Sequence, residues 1–135
     1  MAIVISSIAV TSALLKYNIV IPNKLLPPDN GVITIAFDDG WISTFEYAWP
    51  LMKERGMAGT FYIVSGLIGH ANRLGPTELL DLQKHGYEIA SHSHTHPDFT
   101  TLSESEIRDE CVTSKEILES YGLRINNFAY PPRKI

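Results

Sequence analysis

Val32-Ile33-Thr34-Ile35-Ala36-Phe37-Asp38-Asp39-Gly40 is the stretch that decides the fold. Its first six residues are apolar or β-branched, which predicts a short strand buried on both faces, as in parallel sheets. Asp38 and Asp39 then place two carboxylates at the strand's carboxyl end, and Gly40 lets the backbone turn sharply. Adjacent side chains point in different directions, so the two acids can divide their roles, one holding a metal and the other acting as base. A plain Asp-Asp-Gly turn without chemistry accounts for the same residues.

Working outward, strand-like and helix-like segments alternate. Ser43 or Thr44 can cap a helix to about Arg55, with Phe45, Ala48, Trp49 and Met52 on one side and Gly56 at its end. Pro50 inside it kinks the helix or moves its start. Residues 60–64 (TFYIV) read as the second strand. Residues 76–85 read as a helix with Leu79, Leu80 and Leu82 inward and Gly86 as its stop. Residues 87–91 form the third strand. Ser103 and Glu106 make an S-x-x-E capping box, followed at helical spacing by Ile107, Cys111, Ser114 and Leu118 and stopped by Gly122. Residues 127–131 are the fourth strand. The order β-α-β-α-β-α-β predicts an α/β fold with parallel strands and right-handed crossovers. Ligands in such folds meet the carboxyl ends of strands, where Asp38-Asp39, His92, His96 and Tyr130-Pro131 fall.

Composition bounds the function. The 135 residues carry 11 Lys+Arg against 15 Asp+Glu, a net charge of −4, with 44% hydrophobic and 19% charged residues. That is a globular chain, and with no basic block it predicts no nucleic-acid partner. A single cysteine, Cys111, excludes an intrachain disulfide and a thiolate-rich metal site. No apolar run reaches the roughly 18 residues of a membrane span.

Residues 1–15 carry no charge. The core of an export signal or a membrane anchor fits them and predicts an extracytoplasmic or membrane-anchored protein. Against that, no Lys or Arg precedes the stretch, and no clear small-x-small cleavage site precedes Lys16. A buried helix or strand leading into residues 17–21 fits equally and leaves a cytoplasmic location open. Residues 22–30, with Pro27-Pro28-Asp29-Asn30, read as a linker. The domains are therefore an apolar segment and linker at 1–30 and a folded domain at 31–135.

Ser91-His92-Ser93-His94-Thr95-His96-Pro97 holds three of the chain's five histidines at alternate positions. Neutral imidazole is the commonest metal ligand. Continued strand geometry puts His92 and His94 on one face; a turn brings His92 to His96 instead. Pro97 and the polar residues around it favour the turn, and hence His92 and His96. One carboxylate with two histidines leaves an open coordination position, the arrangement of a catalytic metal site. Metal-assisted hydrolysis of an acyl group follows from these residue types, with the spare carboxylate removing a proton from water. A solvated loop with incidental histidines stands as the bland alternative.

These motifs resemble the polysaccharide deacetylases, carbohydrate esterase family 4, with the NodB-like homology domain. Thr34–Gly40 (TIAFDDG) is similar to the family's T-F-D-D-G motif, His92–Pro97 matches H-[S/T]-x-x-H-P, and Phe128-Ala129-Tyr130-Pro131 resembles the start of F-A-Y-P-Y-G. The resemblance covers about residues 32–132. It implies a distorted (β/α) barrel related to the TIM barrel, of which about four β units are present. It implies Asp38 as general base, and Asp39, His92 and His96 as ligands of a divalent metal, commonly zinc. It implies substrate contact near Tyr130 and Pro131, and removal of acetyl groups from an acetylated polysaccharide, with polymers of N-acetylglucosamine foremost. His94 falls at a variable position and is not expected to be a ligand.

The departures are at the carboxyl end. Pro132 and Arg133 stand where the family has an aromatic, whose N–H helps to hold the oxyanion, and a glycine; proline has no N–H. The family's later motifs, including its general-acid histidine, have no counterpart before Ile135. A barrel of this type needs at least about 200 residues, so an incomplete domain is expected, with an unpaired last strand, low stability or self-association. The alternative to an enzyme is a remnant that binds metal or glycan without turnover.

Overall fold

Strand β1 occupies only Ala36–Phe37 in the computed structural model, which describes residues 33–131. The readings of residues 1–32 and of Pro132–Ile135 lie outside the described residues. The expectation that the first apolar run is buried on both faces is corrected: Ile33 is 88% exposed, and Ala36 is exposed. Among the described residues the sheet order is β1-β2-β3, so β1 is an edge strand there, paired on one side only. Pairing begins where β2, Thr60–Ile63, supplies partners, with Ala36 opposite Thr60 and Phe37 opposite Phe61.

Among the described residues the three strands pair in parallel, and one isolated antiparallel bridge joins Trp41 to Arg73. β3, Glu88–Ser91, runs beside β2 from Thr60 opposite Glu88 to Ile63 opposite Ser91, and the His92 N–H continues the ladder to the Ile63 carbonyl at 2.8 Å. The predicted fourth strand is corrected to one parallel bridge between Ser91 and Phe128. There Ser91 N–H donates to Asn127 O at 3.0 Å and Ala129 N–H to Ser91 O at 2.9 Å. Pro131 has no N–H with which to extend it.

Helices fill the crossovers. The chain passes through a π-helical turn, Thr44–Ala48, into α1, Trp49–Glu54, with Trp49 N–H reaching back to Thr44 O. Pro50 offers no N–H and its ring crowds the carbonyl four residues back, so the helix widens just before it. Phe45 stacks on Trp49 at 4.5 Å, and Met52 is buried, so the expected face is the inward one.

Helix α2, Pro76–Lys84, opens with Glu78 Oε2 accepting from Gly75 N–H at 2.9 Å. Leu79 and Leu82 are fully buried, but Leu80 is 42% exposed. The inward placement of Leu80 is corrected because neighbouring helical residues point about 100° apart. Helix α3, Glu104–Ser120, has the expected capping box between Ser103 and Glu106. Gly86 and Gly122 end α2 and α3 with φ of 86° and 85°, a region that favours glycine. Phe61, Ile63, Leu79, Leu82, Ile89 and Leu118 form the heart of the core. A 2.7 Å hydrogen bond between Ser91 Oγ and Ser114 Oγ, both buried, ties β3 to α3.

Candidate metal centre

Asp39 leaves the end of β1 with φ 66°, and Gly40 follows at φ 66°. Two left-handed residues in succession swing the chain across the end of the sheet. Beyond β3 the chain turns in the same way, with Ser93 at φ 70° and His96 at φ 62°. Left-handed backbone is costly for residues with a Cβ and clusters at functional sites. The turn at Ser93 ends strand alternation, so His92 meets His96, their ring centroids 5.1 Å apart.

The ligating atoms of Asp39, His92 and His96 all lie within 4.8 Å of one another. Oδ1 of Asp39 is 3.2 Å from Nε2 of His96 and 3.7 Å from Nε2 of His92. Oδ1 of Asp39 and Nε2 of His92 are buried and have no hydrogen-bond partner. Leaving such atoms unsatisfied costs about 1–3 kcal/mol each, and a cation between them removes that cost. The donor set, one carboxylate oxygen and two imidazole nitrogens, suits a divalent ion such as zinc and leaves a coordination position open. The residues fit the group.

The supports come from several directions. His92 is 2% exposed, and its Nδ1 lies 3.0 Å from the carbonyl of Ala129. The Nδ1 proton donates there, which leaves the Nε2 lone pair facing the centre. Ser93 Oγ, fully buried, accepts from His96 N–H at 3.0 Å. Arg73 Nη1 donates to the Asp39 carbonyl at 2.6 Å while its guanidinium stacks 3.4 Å above the Trp41 ring. On α3, Glu110 accepts from His94 N–H, Thr95 N–H and Thr95 Oγ1 at 2.7, 2.8 and 2.5 Å. Burial pushes the Glu110 carboxyl up, but the Thr95 and His94 hydrogen bonds outweigh it and hold it below the ordinary glutamate range.

His94 turns elsewhere, with Nδ1 2.9 Å from Ser65 Oγ. Asp38 is exposed beside Asp39 and is not one of the three clustered residues. Tyr130 is 68% exposed and packs edge-on against Phe99 and Phe128, and Pro131 is buried. Sequence reasoning misses Arg73, Ser65, Glu110 and the Ala129 carbonyl. Three of these act on backbone or through it, and only the acidic run of α3 carries any sequence signal.

The family model described as "Polysaccharide deacetylase" matches residues 26–135. The chain belongs to the polysaccharide deacetylase family. Among curated members, the peptidoglycan-N-acetylmuramic acid deacetylase PdaC of Bacillus subtilis is 31% identical over 111 residues, 81% of this chain and 23% of that protein. Chitin deacetylase 1 of Cryptococcus neoformans is 29% identical over 105 residues, 77% of this chain and 22% of its own length. Among solved structures of the family, the Streptococcus pyogenes deacetylase PplD, in complex with acetate, superposes with a TM-score of 0.74 at 26% identity, covering 97% of this chain and 56% of that one. The structure of PdaC superposes with a TM-score of 0.68 at 27% identity, covering 78% and 52%. The α/β fold with parallel strands is thus that of the deacetylase barrel. The chain spans about a quarter of those curated relatives and about half of the solved chains. No helix among the described residues is long and apolar enough to cross a membrane.

Proposed function

We propose that this chain carries the metal-holding part of a metal-dependent deacetylase acting on an acetylated polysaccharide, with polymers of N-acetylglucosamine foremost. The observation that carries the reading is the convergence of Asp39 Oδ1 and His92 Nε2, both buried and without a hydrogen-bond partner, with His96. Relatives named as chitin and peptidoglycan deacetylases support the substrate class.

Asp39, His92 and His96 would hold the divalent ion, zinc first. Such an ion supplies Lewis acidity toward an acyl oxygen and makes water more acidic. Asp39 brings negative charge to the centre, and His92 brings a lone pair aimed by the Ala129 carbonyl. Asp38, exposed at the same strand end, takes a proton from the attacking water at its carboxylate. Hydrolysis breaks the acetamide C–N bond: the water oxygen goes to the acetyl carbon, and a proton goes to the departing nitrogen. Exposed Tyr130, with Pro131, would contact the glycan.

The reading places the catalytic domain at residues 31–135, behind an apolar segment and linker at 1–30, in an extracytoplasmic or membrane-anchored protein prone to self-association. A second reading, binding of metal or glycan without turnover, is favoured by Pro132, which has no N–H where the family's oxyanion donor stands. Acetate release from an N-acetylated chitooligosaccharide, measured with zinc or cobalt, tests the first. Turnover lost in Asp38→Asn with zinc binding retained supports it. Zinc binding without turnover in the unsubstituted chain supports the second.

A further inference from the structure

Beyond His92, the loop that carries His96 runs out of backbone acceptors. His92 N–H still finds the Ile63 carbonyl, but the chain then leaves the sheet through two left-handed residues, Ser93 and His96. The loop's carbonyls are held from the β2 side, where Ser65 N–H donates to Ser93 O at 3.1 Å and Gly66 N–H to His94 O at 2.9 Å. Its N–H groups face the other way. His96 N–H is taken by Ser93 Oγ. His94 N–H and Thr95 N–H converge on one oxygen of Glu110, and the Thr95 hydroxyl goes to the other.

We infer that Glu110 is a positioning residue for the metal centre: a carboxylate on α3 that clamps the 94–95 segment and so holds His96 against Asp39. The inference rests on the metal-site reading of Asp39, His92 and His96. Glu110 touches neither histidine ligand, so it acts only through the loop between them. A charged acceptor shared by two adjacent N–H groups is stronger than a neutral one. Here it replaces the ladder acceptors that the turn forfeits. The opposite pins, from Ser65 and Gly66, lie on the β2 side, so without Glu110 the loop is held from one side only.

The test measures zinc affinity of the full 135-residue chain by competition with a chromophoric chelator, alongside a far-UV melt. Glu110→Ala is expected to weaken zinc binding about 10-fold or more, as loss of an outer support does. Glu110→Gln, which keeps one acceptor oxygen, is expected to recover part of that loss. In a His96→Ala background, Glu110→Ala is expected to change affinity no further. Unchanged affinity in both Glu110 variants, with the unsubstituted chain binding zinc, overturns the inference alone. So does an equal loss with and without His96, which marks Glu110 as a general stabiliser. Absence of zinc binding by the unsubstituted chain overturns the metal reading and this inference together. If Glu110→Ala does not fold, Glu110→Gln decides by the same comparisons.

Discussion

The imidazole of His92 is held by the backbone of Ala129, whose carbonyl oxygen lies 3.0 Å from Nδ1. Ala129 is itself fixed by its N–H bond to Ser91 O, 2.9 Å long. The single bridge left of the fourth strand therefore sets the tautomer of a buried histidine. Ala129→Pro removes that N–H and frees the segment. Zinc affinity is expected to fall about 10- to 100-fold, read by chelator competition; affinity equal to that of the unsubstituted chain would show that the bridge does not aim the ring.

The two histidine pairings separate cleanly. His96→Ala removes a proposed ligand, and zinc affinity is expected to drop by at least about 100-fold. His94→Ala removes a hydrogen bond to Ser65 Oγ and no proposed ligand, so zinc affinity is expected to stay within a few-fold. The reverse order in a titration would assign the site to His92 with His94.

Gly66 packs closely against the histidine loop, its N–H donating to His94 O at 2.9 Å. A Cβ there would sit 2.7 Å from the His94 carbonyl oxygen and 3.2 Å from its Cε1. Backbone oxygen has no rotamer with which to move aside, so Gly66→Ala must displace the histidine loop. An overpacking cost of about 1–3 kcal/mol is expected, measured by urea denaturation, together with weaker zinc binding. A neutral effect on both would show that the loop yields freely.

The Ser91–Ser114 pair is buried on both sides, at 2% and 0% exposure. Ser114→Ala leaves the Ser91 hydroxyl without its partner, and a loss of about 1–3 kcal/mol is expected. Removing both hydroxyls removes the orphan as well. The double variant Ser91→Ala/Ser114→Ala is therefore expected to lose less than the sum of the two single changes. Strict additivity in urea denaturation would refute the pairing.

Acid is expected to loosen the histidine loop through Glu110. Its carboxyl titrates below the ordinary range in the folded chain, so ionised Glu110 favours folding. That contribution is fully present above the unfolded-state value and is lost as pH falls through the lower folded-state value. The stability gap between the unsubstituted chain and Glu110→Gln, measured without metal, is thus expected to be widest near neutrality and to close in acid. A gap that widens on acidification would reverse the sign.

Much of this architecture is legible in the sequence where local chemistry and tertiary cover agree. Strands β2 and β3, the capped helix α3 and the glycine stops at 86 and 122 lie within a residue or so of their expected places, because turns and caps are local. The first strand is over-read because an apolar run says nothing of whether a neighbour arrives to cover it, and at Ile33 none does among the described residues. Leu80 fails for a different reason: its apolarity points inward, but the rotation of about 100° from Leu79 turns it toward solvent. At the centre, the residue types and the turn at Pro97 point toward His92 and His96 with one of two adjacent carboxylates, and only the family resemblance singles out Asp39. Arg73 and Ala129 are invisible there and Glu110 shows only as part of an acidic run, since each works on or through backbone atoms brought near only by the crossovers.

The sheet order has a consequence for how the centre keeps its span. Asp39 hangs from β1 and both histidines from β3, while β2 stands between them and lends no ligand. Neighbouring strands are rotated by roughly 20–25°, so the gap between carboxylate and imidazoles is set by the twist accumulated across β2. Ile63 packs directly beneath the turn: a Cβ at Gly40 would come 3.2 Å from the Ile63 Cδ1, close enough that the side chain would have to give way. The middle strand is thus a caliper, and its packing underneath gauges the opening of the jaws above.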